Sequence, residues 1–322
     1  MSSLAVENVT VRFRSRSGTV TAVDRVSFEI ADGQAVGLVG ESGSGKSTLA
    51  RAIVGLAPIH GGRIEVDGQD VTHRSGAMRR RLGKQVQIIF QDPDTALDPR
   101  MTVRQSLLEG ATAFVRLDRA AREAKVVELL GLVGLDDGLA SVYPRELSGG
   151  QRQRIAIARA LAVDPGMLIA DEITSALDVS VQGAVLNVIQ QLRARLGLSM
   201  LFIGHNLAAV RYVSDVIAVM YLGQIVEVAP TDQLLNDPQH PYTRALLESI
   251  PRLGQDVRGQ DRWLAAEQAD PTQSPAGCRF HLRCPVGPSS HADRTICCTA
   301  DPAADAADRD HRAACHFAGT TV

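Results

Sequence analysis

Cysteine is missing from the first 277 residues of this 322-residue chain; all five fall late, at Cys278, Cys284, Cys297, Cys298 and Cys315. That excludes a disulfide framework for the main body, and in a reducing compartment a late cluster points to metal rather than to a disulfide. Long apolar runs are missing too. No uninterrupted stretch of about 18 apolar residues occurs, so the chain is not expected to span a membrane, and any membrane role must come through a partner. Met1-Ser2-Ser3-Leu4-Ala5-Val6 lacks the basic-then-apolar layout of a secretion signal, so a cytosolic location is expected by default. The net charge of −2 makes no general case for nucleic-acid binding. A hydrophobic content of 45% with 22% charged residues is ordinary for a globular protein, and the length suits one large domain or one plus an appendage.

What is present is organised around Gly40-Glu41-Ser42-Gly43-Ser44-Gly45-Lys46-Ser47, a full G-x-x-x-x-G-K-S loop. The apolar run Ala35–Val39 before it reads as a buried strand, and Thr48 to Leu56 reads as a helix, the context the motif requires. Glycines at 40, 43 and 45 let backbone N–H groups close on phosphate oxygens, and the helix start adds free amide donors and positive dipole character. Lys46 can reach the β- and γ-phosphates and the Ser47 hydroxyl can ligate Mg²⁺, with Ser42 and Thr48 flanking. These residues predict binding of a nucleoside triphosphate.

Along the chain, Leu4 to Phe13 alternates as an edge strand, Arg14 to Thr19 reads as a polar loop, and Val26–Ile30 repeats the strand pattern before an Asp32-Gly33 turn. Phe13 could stack on a purine base or simply belong to the core. Gly61 to Gly68 reads as turn, strand and turn, and Val86–Phe90 as a buried strand ending at Gln91-Asp92-Pro93. Arg79, Arg80, Arg81 and Lys84 read as a solvated helix face. From Val103 to about Leu139 the spacing of Leu107, Leu108, Val126, Val127, Leu129, Leu130 and Val133 turns helical, as an insertion would.

Leu147-Ser148-Gly149-Gly150-Gln151 opens another helix, a second terminus suited to an anion. Met167–Ala170 is a short apolar strand running into Asp171-Glu172, where open α/β sheets place their chemistry. Asp171 would hold Mg²⁺; Glu172, pointing differently because strand residues alternate, could orient a water. Ser175 to Asp178 precedes a long helix, Ser199–Ile203 forms a strand ending at Gly204-His205, and Val216–Tyr221 with Gln224–Glu227 reads as a hairpin around Gly223.

The ordered set of phosphate loop, Gln91 loop, Leu147–Gln151 signature, Asp171-Glu172, Asp178 loop and His205 resembles an ABC-type ATPase. His240-Pro241-Tyr242-Thr243-Arg244-Ala245-Leu246-Leu247 and Cys278–Pro285 resemble the oligopeptide/dipeptide (and nickel) importer branch, as do Phe90–Pro93 and Leu97–Met101. The resemblance implies an α/β P-loop NTPase (RecA-like) core with an antiparallel β subdomain and an α-helical signature subdomain, plus a small Cys-containing C-terminal extension. It implies an ATPase domain over 1–235, with the helical part at about 95–160, and an extension over 236–322. It further implies two cassettes packed head to tail, with Ser148, Gly149 and Gly150 acting on the partner's ATP, and Gln151 and Asp178 among the nucleotide-binding residues. Glu172 would be the base, His205 would steady the γ-phosphate, and Gln91 would link the Mg²⁺ site to a permease.

Implied partners are a second cassette of a different chain, two transmembrane permeases and, indirectly, an extracytoplasmic binding protein, all at the cytoplasmic face of the cell membrane. Peptide import leads; nickel or glutathione import and a soluble non-transport ATPase are the alternatives. For the cysteines the resemblance implies a four-cysteine iron–sulfur (4Fe–4S) cluster on Cys278, Cys284, Cys315 and one of Cys297 or Cys298, with zinc or free thiols as alternatives. Asp301 to Asp310, rich in Ala and Asp, reads as poorly ordered. The chain departs from the family at Ile173-Thr174, where proline usually precedes the threonine, at Asn206, where aspartate is common, and in a longer Cys284–Cys297 stretch.

Overall fold

The computed structural model describes residues 2–15, 18–73, 75–175, 177–249, 275–302 and 310–319. Among these the chain runs β1 (Leu4–Ser15), β2 (Gly18–Ile30), β3 (Ala35–Val39), α1 (Lys46–Ile53), β4 (Gly61–Val66), β5 (Gln69–Asp70), α2 (Gly76–Gln85) and β6 (Val86–Ile89). Then follow α3 (Pro93–Ala96), α4 (Val103–Thr112), α5 (Arg119–Leu132), α6 (Gly149–Leu161), β7 (Met167–Asp171), α7 (Val179–Leu196), β8 (Ser199–Gly204) and α8 (Leu207–Val213). The last elements are β9 (Val216–Tyr221), β10 (Gln224–Pro230), α9 (Thr231–Asn236), α10 (Pro241–Glu248), α11 (Ile296–Thr299) and β11 (Arg312–Ala313).

Two sheets enclose α1. The larger has the order β11-β10-β9-β3-β8-β7-β6, parallel from β9 to β6 and antiparallel at β10 and β11; the smaller is antiparallel, β2-β1-β4-β5. β3 is buried at every position because both faces of the parallel sheet are covered. Val36, Leu38, Ile169 and Ile203 point toward α1 and the small sheet, where Leu49, Ile53, Leu4 and Val6 meet them. Their alternating neighbours Ala35, Val39, Leu168, Ala170 and Phe202 face the helices on the other side. A strand-to-loop-to-helix crossover in this position puts the phosphate loop at the carboxyl edge of the sheet.

α4, α5 and α6 pack on one another as the helical spacing after Val103 predicts, each opened by a side-chain cap from Thr102, Asp118 and Ser148. Arg79, Arg80, Arg81 and Lys84 lie on α2, on the solvent side of that short helix. The hairpin around Gly223 forms as expected, with Leu222 and Gly223 both at positive φ. Arg14 to Thr19 is a correction. Arg14 pairs with Thr19 and Ser15 with Gly18, so the strand pairing includes these four residues. Arg14 and Thr19 are exposed, and the stretch has no apolar alternation to read. Beyond residue 236 the chain returns to the large sheet: Glu227 pairs with Ala313 and Val228 with Arg312. Of the expected poorly ordered stretch, 303–309 lies outside the described residues. No described helix is long and apolar enough to cross a membrane.

Candidate functional site

The phosphate loop is pinned by close backbone approach. Gly40 has φ +157° and a Cβ there would lie 2.1 Å from the Met220 carbonyl oxygen. Gly45 has φ +105° and would meet the Ala22 oxygen at 2.2 Å, so neither position admits a side chain. α1 begins at Lys46, two residues earlier than the pattern of apolar residues suggests, because Gly45 itself is the cap. Ser42 and Gly43 are exposed at the loop's crest and Thr48 lies half-buried in the first turn. The Lys46 side chain is buried. Its Nζ donates to the Gly40 carbonyl at 2.8 Å and the Glu41 carbonyl at 2.9 Å. Burial pulls its pKa down, opposed by the carboxylates of Glu172, Asp171 and Glu41.

Three neighbouring strand ends supply the remaining groups. Ser47 Oγ donates to Asp171 Oδ1 at 2.9 Å at the end of β7, and burial raises the Asp171 pKa. A hydroxyl beside a carboxylate short of compensating charge is a hard-oxygen donor pair of the kind Mg²⁺ takes, so these residues fit that ion. Glu172 follows the strand rather than belonging to it. Its φ of 49° places it in the left-handed region, and its N–H donates to the Ile203 carbonyl on β8 at 3.0 Å. The backbone turn, not strand alternation, aims its side chain, and a non-glycine residue held there is a strained position maintained by its surroundings.

The Glu172 carboxylate is the meeting point. Gln91 Nε2 donates to Oε2 at 3.1 Å, His205 Nδ1 lies 3.9 Å from Oε2, and Lys46 Nζ lies 3.9 Å from Oε1. Gln91 also reaches Ser175 Oγ at 3.3 Å, and His205 is 61% exposed, open toward solvent. Six expected residues, Lys46, Ser47, Gln91, Asp171, Glu172 and His205, are thus joined through one small region. Asn206 serves locally instead, its Oδ1 accepting from the N–H groups of Ala208 and Ala209 and capping α8. Ile173 is buried in the helix-side core.

Other expected residues stand apart. Ser148 and Gln151 bond each other in a reciprocal cap, Ser148 is exposed, and Gly150 is packed so that a Cβ would lie 2.5 Å from Val181 Cγ1. Asp178 is exposed at the start of α7. Phe13 is 42% exposed and pairs with Val20, two residues before the Ala22 carbonyl that abuts Gly45.

The cysteines do not meet the expectation made for them. Burial and then the proximity of the other thiols raise the pKa of Cys278, Cys284 and Cys315, and the Cys278 N–H donates to the Cys297 carbonyl at 2.9 Å. Yet among the described residues no group of three or more His, Cys, Asp or Glu is arranged to hold a metal. Burial pushes Cys278 up to about 12 and Cys284 up to about 11. This arrangement lends the cluster no support. The motif reading missed two contacts with the phosphate loop: Arg283, between Cys278 and Cys284, pairs with Glu41, and Tyr242 accepts from the Glu41 N–H. A run of Arg and Phe between cysteines carries no signal naming a partner some 240 residues away.

A family model described as ABC transporter matches residues 23–175, and one described as the C-terminal region of oligopeptide/dipeptide transporters matches 226–289. A Brucella ovis protein named as a peptide import ATP-binding protein is 45% identical over 289 residues, covering 88% of this chain and 89% of its own length. A Brucella abortus (strain 2308) protein of the same kind of name is 50% identical over 266 residues, 82% of this chain and 79% of that one. The dimeric post-hydrolysis structure of the ATP-binding cassette MJ0796, bound to ADP and Pi, matches with a TM-score of 0.64 and 26% identity over 71% of this chain and 98% of that chain. A Clostridium perfringens cassette, cbiO1, matches with a TM-score of 0.65 and 27% identity over 73% of this chain and 90% of that one. The fold is that of an ATP-binding cassette, and the chain belongs to the ABC transporter ATP-binding family, in the branch that carries the oligopeptide/dipeptide transporter C-terminal region.

Proposed function

We propose that this protein hydrolyses ATP to energise import of oligopeptides or dipeptides by an ABC transporter. The observation that carries the reading is the convergence on Glu172 of Gln91, His205 and Lys46 beside the Ser47–Asp171 pair. Peptides are favoured over nickel or glutathione by the names of the relatives and the matched C-terminal region. Residues 1–235 would form the cassette, with about 95–160 as its helical part, and 236–322 the extension.

The loop amides and Lys46 hold the β- and γ-phosphates of ATP. Bound Mg²⁺, held by Ser47 and Asp171 with Gln91 close by, would supply charge neutralisation between the phosphates. Glu172 accepts a hydrogen bond from water and takes its proton as the oxygen attacks the γ-phosphorus; the bond to the β-phosphate oxygen breaks, leaving ADP and phosphate. The left-handed backbone at Glu172 turns its carboxylate to where Lys46 and Gln91 flank it. His205, open to solvent, donates to the γ-phosphate oxygens, and Phe13 stacks on the base.

Ser148, Gly149, Gly150 and Gln151, with Asp178, would face the ATP of a second, homologous cassette, so nucleotide becomes part of the contact between two chains. The MJ0796 cassette is dimeric in its post-hydrolysis structure. Two permeases would dock against the helical part near Gln91, placing the chain on the cytoplasmic face of the cell membrane, with a binding protein outside.

Glu172→Gln in the reconstituted transporter is the test. ATP binding should persist, turnover should vanish, and the cassettes should stay closed; normal turnover would remove Glu172 from the role. The cysteines carry no step. Anaerobically purified protein is expected to be colourless with five free thiols, and visible absorbance with acid-labile sulfide would restore the cluster.

A further inference from the structure

The C-terminal region grips the phosphate loop. Glu41, the loop's second residue, is held on three sides. Its backbone N–H donates to Tyr242 Oη at 2.9 Å. Its carboxylate accepts two bonds from Arg283, Nη1 to Oε2 at 3.0 Å and Nη2 to Oε1 at 3.2 Å. Its carbonyl accepts from Lys46 Nζ at 2.9 Å. Residues of the C-terminal region are therefore one amino acid removed from the lysine that meets phosphate.

Several features distinguish this grip from a chance surface contact. The Arg283 side chain is 5% exposed and that of Glu41 18%, so the pair is largely withdrawn from the solvent that makes most ion pairs negligible. The two-pronged geometry fixes direction as well as charge. Arg283 also donates to Tyr221 Oη at 3.3 Å, and its guanidinium lies over the rings of Tyr221 and Phe280. The rings of Tyr221, Tyr242 and Phe280 lie 4.6, 5.3 and 5.4 Å apart, centroid to centroid, and Tyr242 and Phe280 are completely buried. Such packing leaves Tyr242 Oη little freedom to leave Glu41. The grip is anchored again alongside: Arg279 pairs with Asp24 on β2 and donates to the Leu222 carbonyl in the β9–β10 turn, while the Gly223 N–H donates to the Ser44 carbonyl of the loop at 2.8 Å.

We infer that Arg283 and Tyr242 are positioning residues for nucleotide, setting the Glu41 peptide groups and through them Lys46, so that the C-terminal region determines how tightly the phosphate loop holds ATP. This rests on the reading of Gly40–Ser47 as the nucleotide site. A region merely docked for stability would leave nucleotide affinity alone. A positioning role moves affinity without moving the chemical step, because the loop holds ground state and transition state alike.

The test uses the full chain, a fluorescent ATP analogue with Mg²⁺, steady-state ATPase rates and thermal unfolding. Tyr242→Phe keeps the buried ring and removes only the acceptor. It should raise Kd and KM about three- to tenfold, the scale of one hydrogen bond, with kcat changed less than about twofold. Arg283→Gln should act in the same direction and more strongly, with Arg283→Lys restoring part of the loss because lysine offers charge without the fork. Arg283→Gln combined with Glu41→Gln should add little to either alone. Unchanged affinity in folded Tyr242→Phe and Arg283→Gln proteins, or simple additivity of the double variant, overturns the inference. If Arg283→Gln fails to fold, Tyr242→Phe decides. Lys46→Ala separates the levels: if it binds ATP normally, the site reading fails, whereas lost binding there with no change in the C-terminal variants defeats this inference alone.

Discussion

α1 starts from a glycine cap and α6 opens on a pair of glycines, and the two starts are finished in different ways. α1 begins at Lys46 behind the Gly45 cap, with no side-chain cap bond, and what surrounds it comes from elsewhere in the fold: Asp171 on β7, Glu172 beyond it, Glu41 held by the C-terminal region. α6 begins at Gly149, and Ser148 and Gln151 close its start by themselves, with Gly150 packed tightly on Val181 behind. Both starts offer the same amides and the same dipole. The first has carboxylates gathered round it from its own chain; the second is closed by its own cap, with Ser148 exposed. A second cassette facing Ser148 is the arrangement that would give the second start its purpose, and the contrast can be broken from either side.

The largest effect is expected at the first start. Glu172→Gln keeps the shape and the Gln91 contact but loses the base, so turnover should fall about 10²–10⁴-fold while nucleotide affinity changes little. Single-turnover hydrolysis and equilibrium binding on the same preparation check this; parallel losses in both would mean that Glu172 supports binding instead. Ser148→Arg probes the second start. Removing one preorganised donor to the phosphoryl group should cost about 10²-fold or more in the turnover of the assembled pair, yet leave ATP binding by the single chain untouched. Weakened binding by the isolated chain would erase the contrast, since Ser148 would then serve its own nucleotide.

The same contrast explains how much of the molecule is legible in its sequence. Gly40–Ser47, Asp171, Glu172 and His205 are legible because phosphate chemistry constrains both residue type and order along the chain. The buried strands β3, β7 and β8 are legible because their apolar runs are short and sharply bounded. Geometry that depends on one residue's backbone is not: the left-handed turn at Glu172 leaves no mark in a sequence where glutamate would ordinarily avoid it. Neither is the pairing of Arg14 with Thr19 and of Ser15 with Gly18, which no apolar alternation announces. The Arg283–Glu41 pairing joins residues far apart in the chain, and the cysteines suggest a ligand set that the described residues do not assemble.

The smallest effect concerns the support behind the first start. His240 caps α10: its Nδ1 accepts the Tyr242 N–H at 3.0 Å, so the ring must be neutral with its proton on Nε2. Burial pushes its pKa from 6.5 down to about 3. The unfolded chain takes up a proton below about 6.5 while the folded one refuses it until about 3, so the stability this group contributes is complete above about 6.5 and declines as pH falls through that window. At pH 5 the gap is worth about 2 kcal/mol. His240→Asn keeps an acceptor for the cap, as Asn206 does on α8, and has no proton to gain. Glu227, whose carboxylate accepts the His240 N–H and pairs with His311, stays in both proteins, so the comparison isolates the ring. Urea unfolding at pH 7.5 and pH 5 should show the wild type losing about 2 kcal/mol more than the variant. Because this cap carries Tyr242, nucleotide affinity at α1 should fall with it, whereas the self-capped start of α6 has no titrating group to lose. Equal losses in the two proteins would show that the C-terminal region's support of the loop does not pass through this cap.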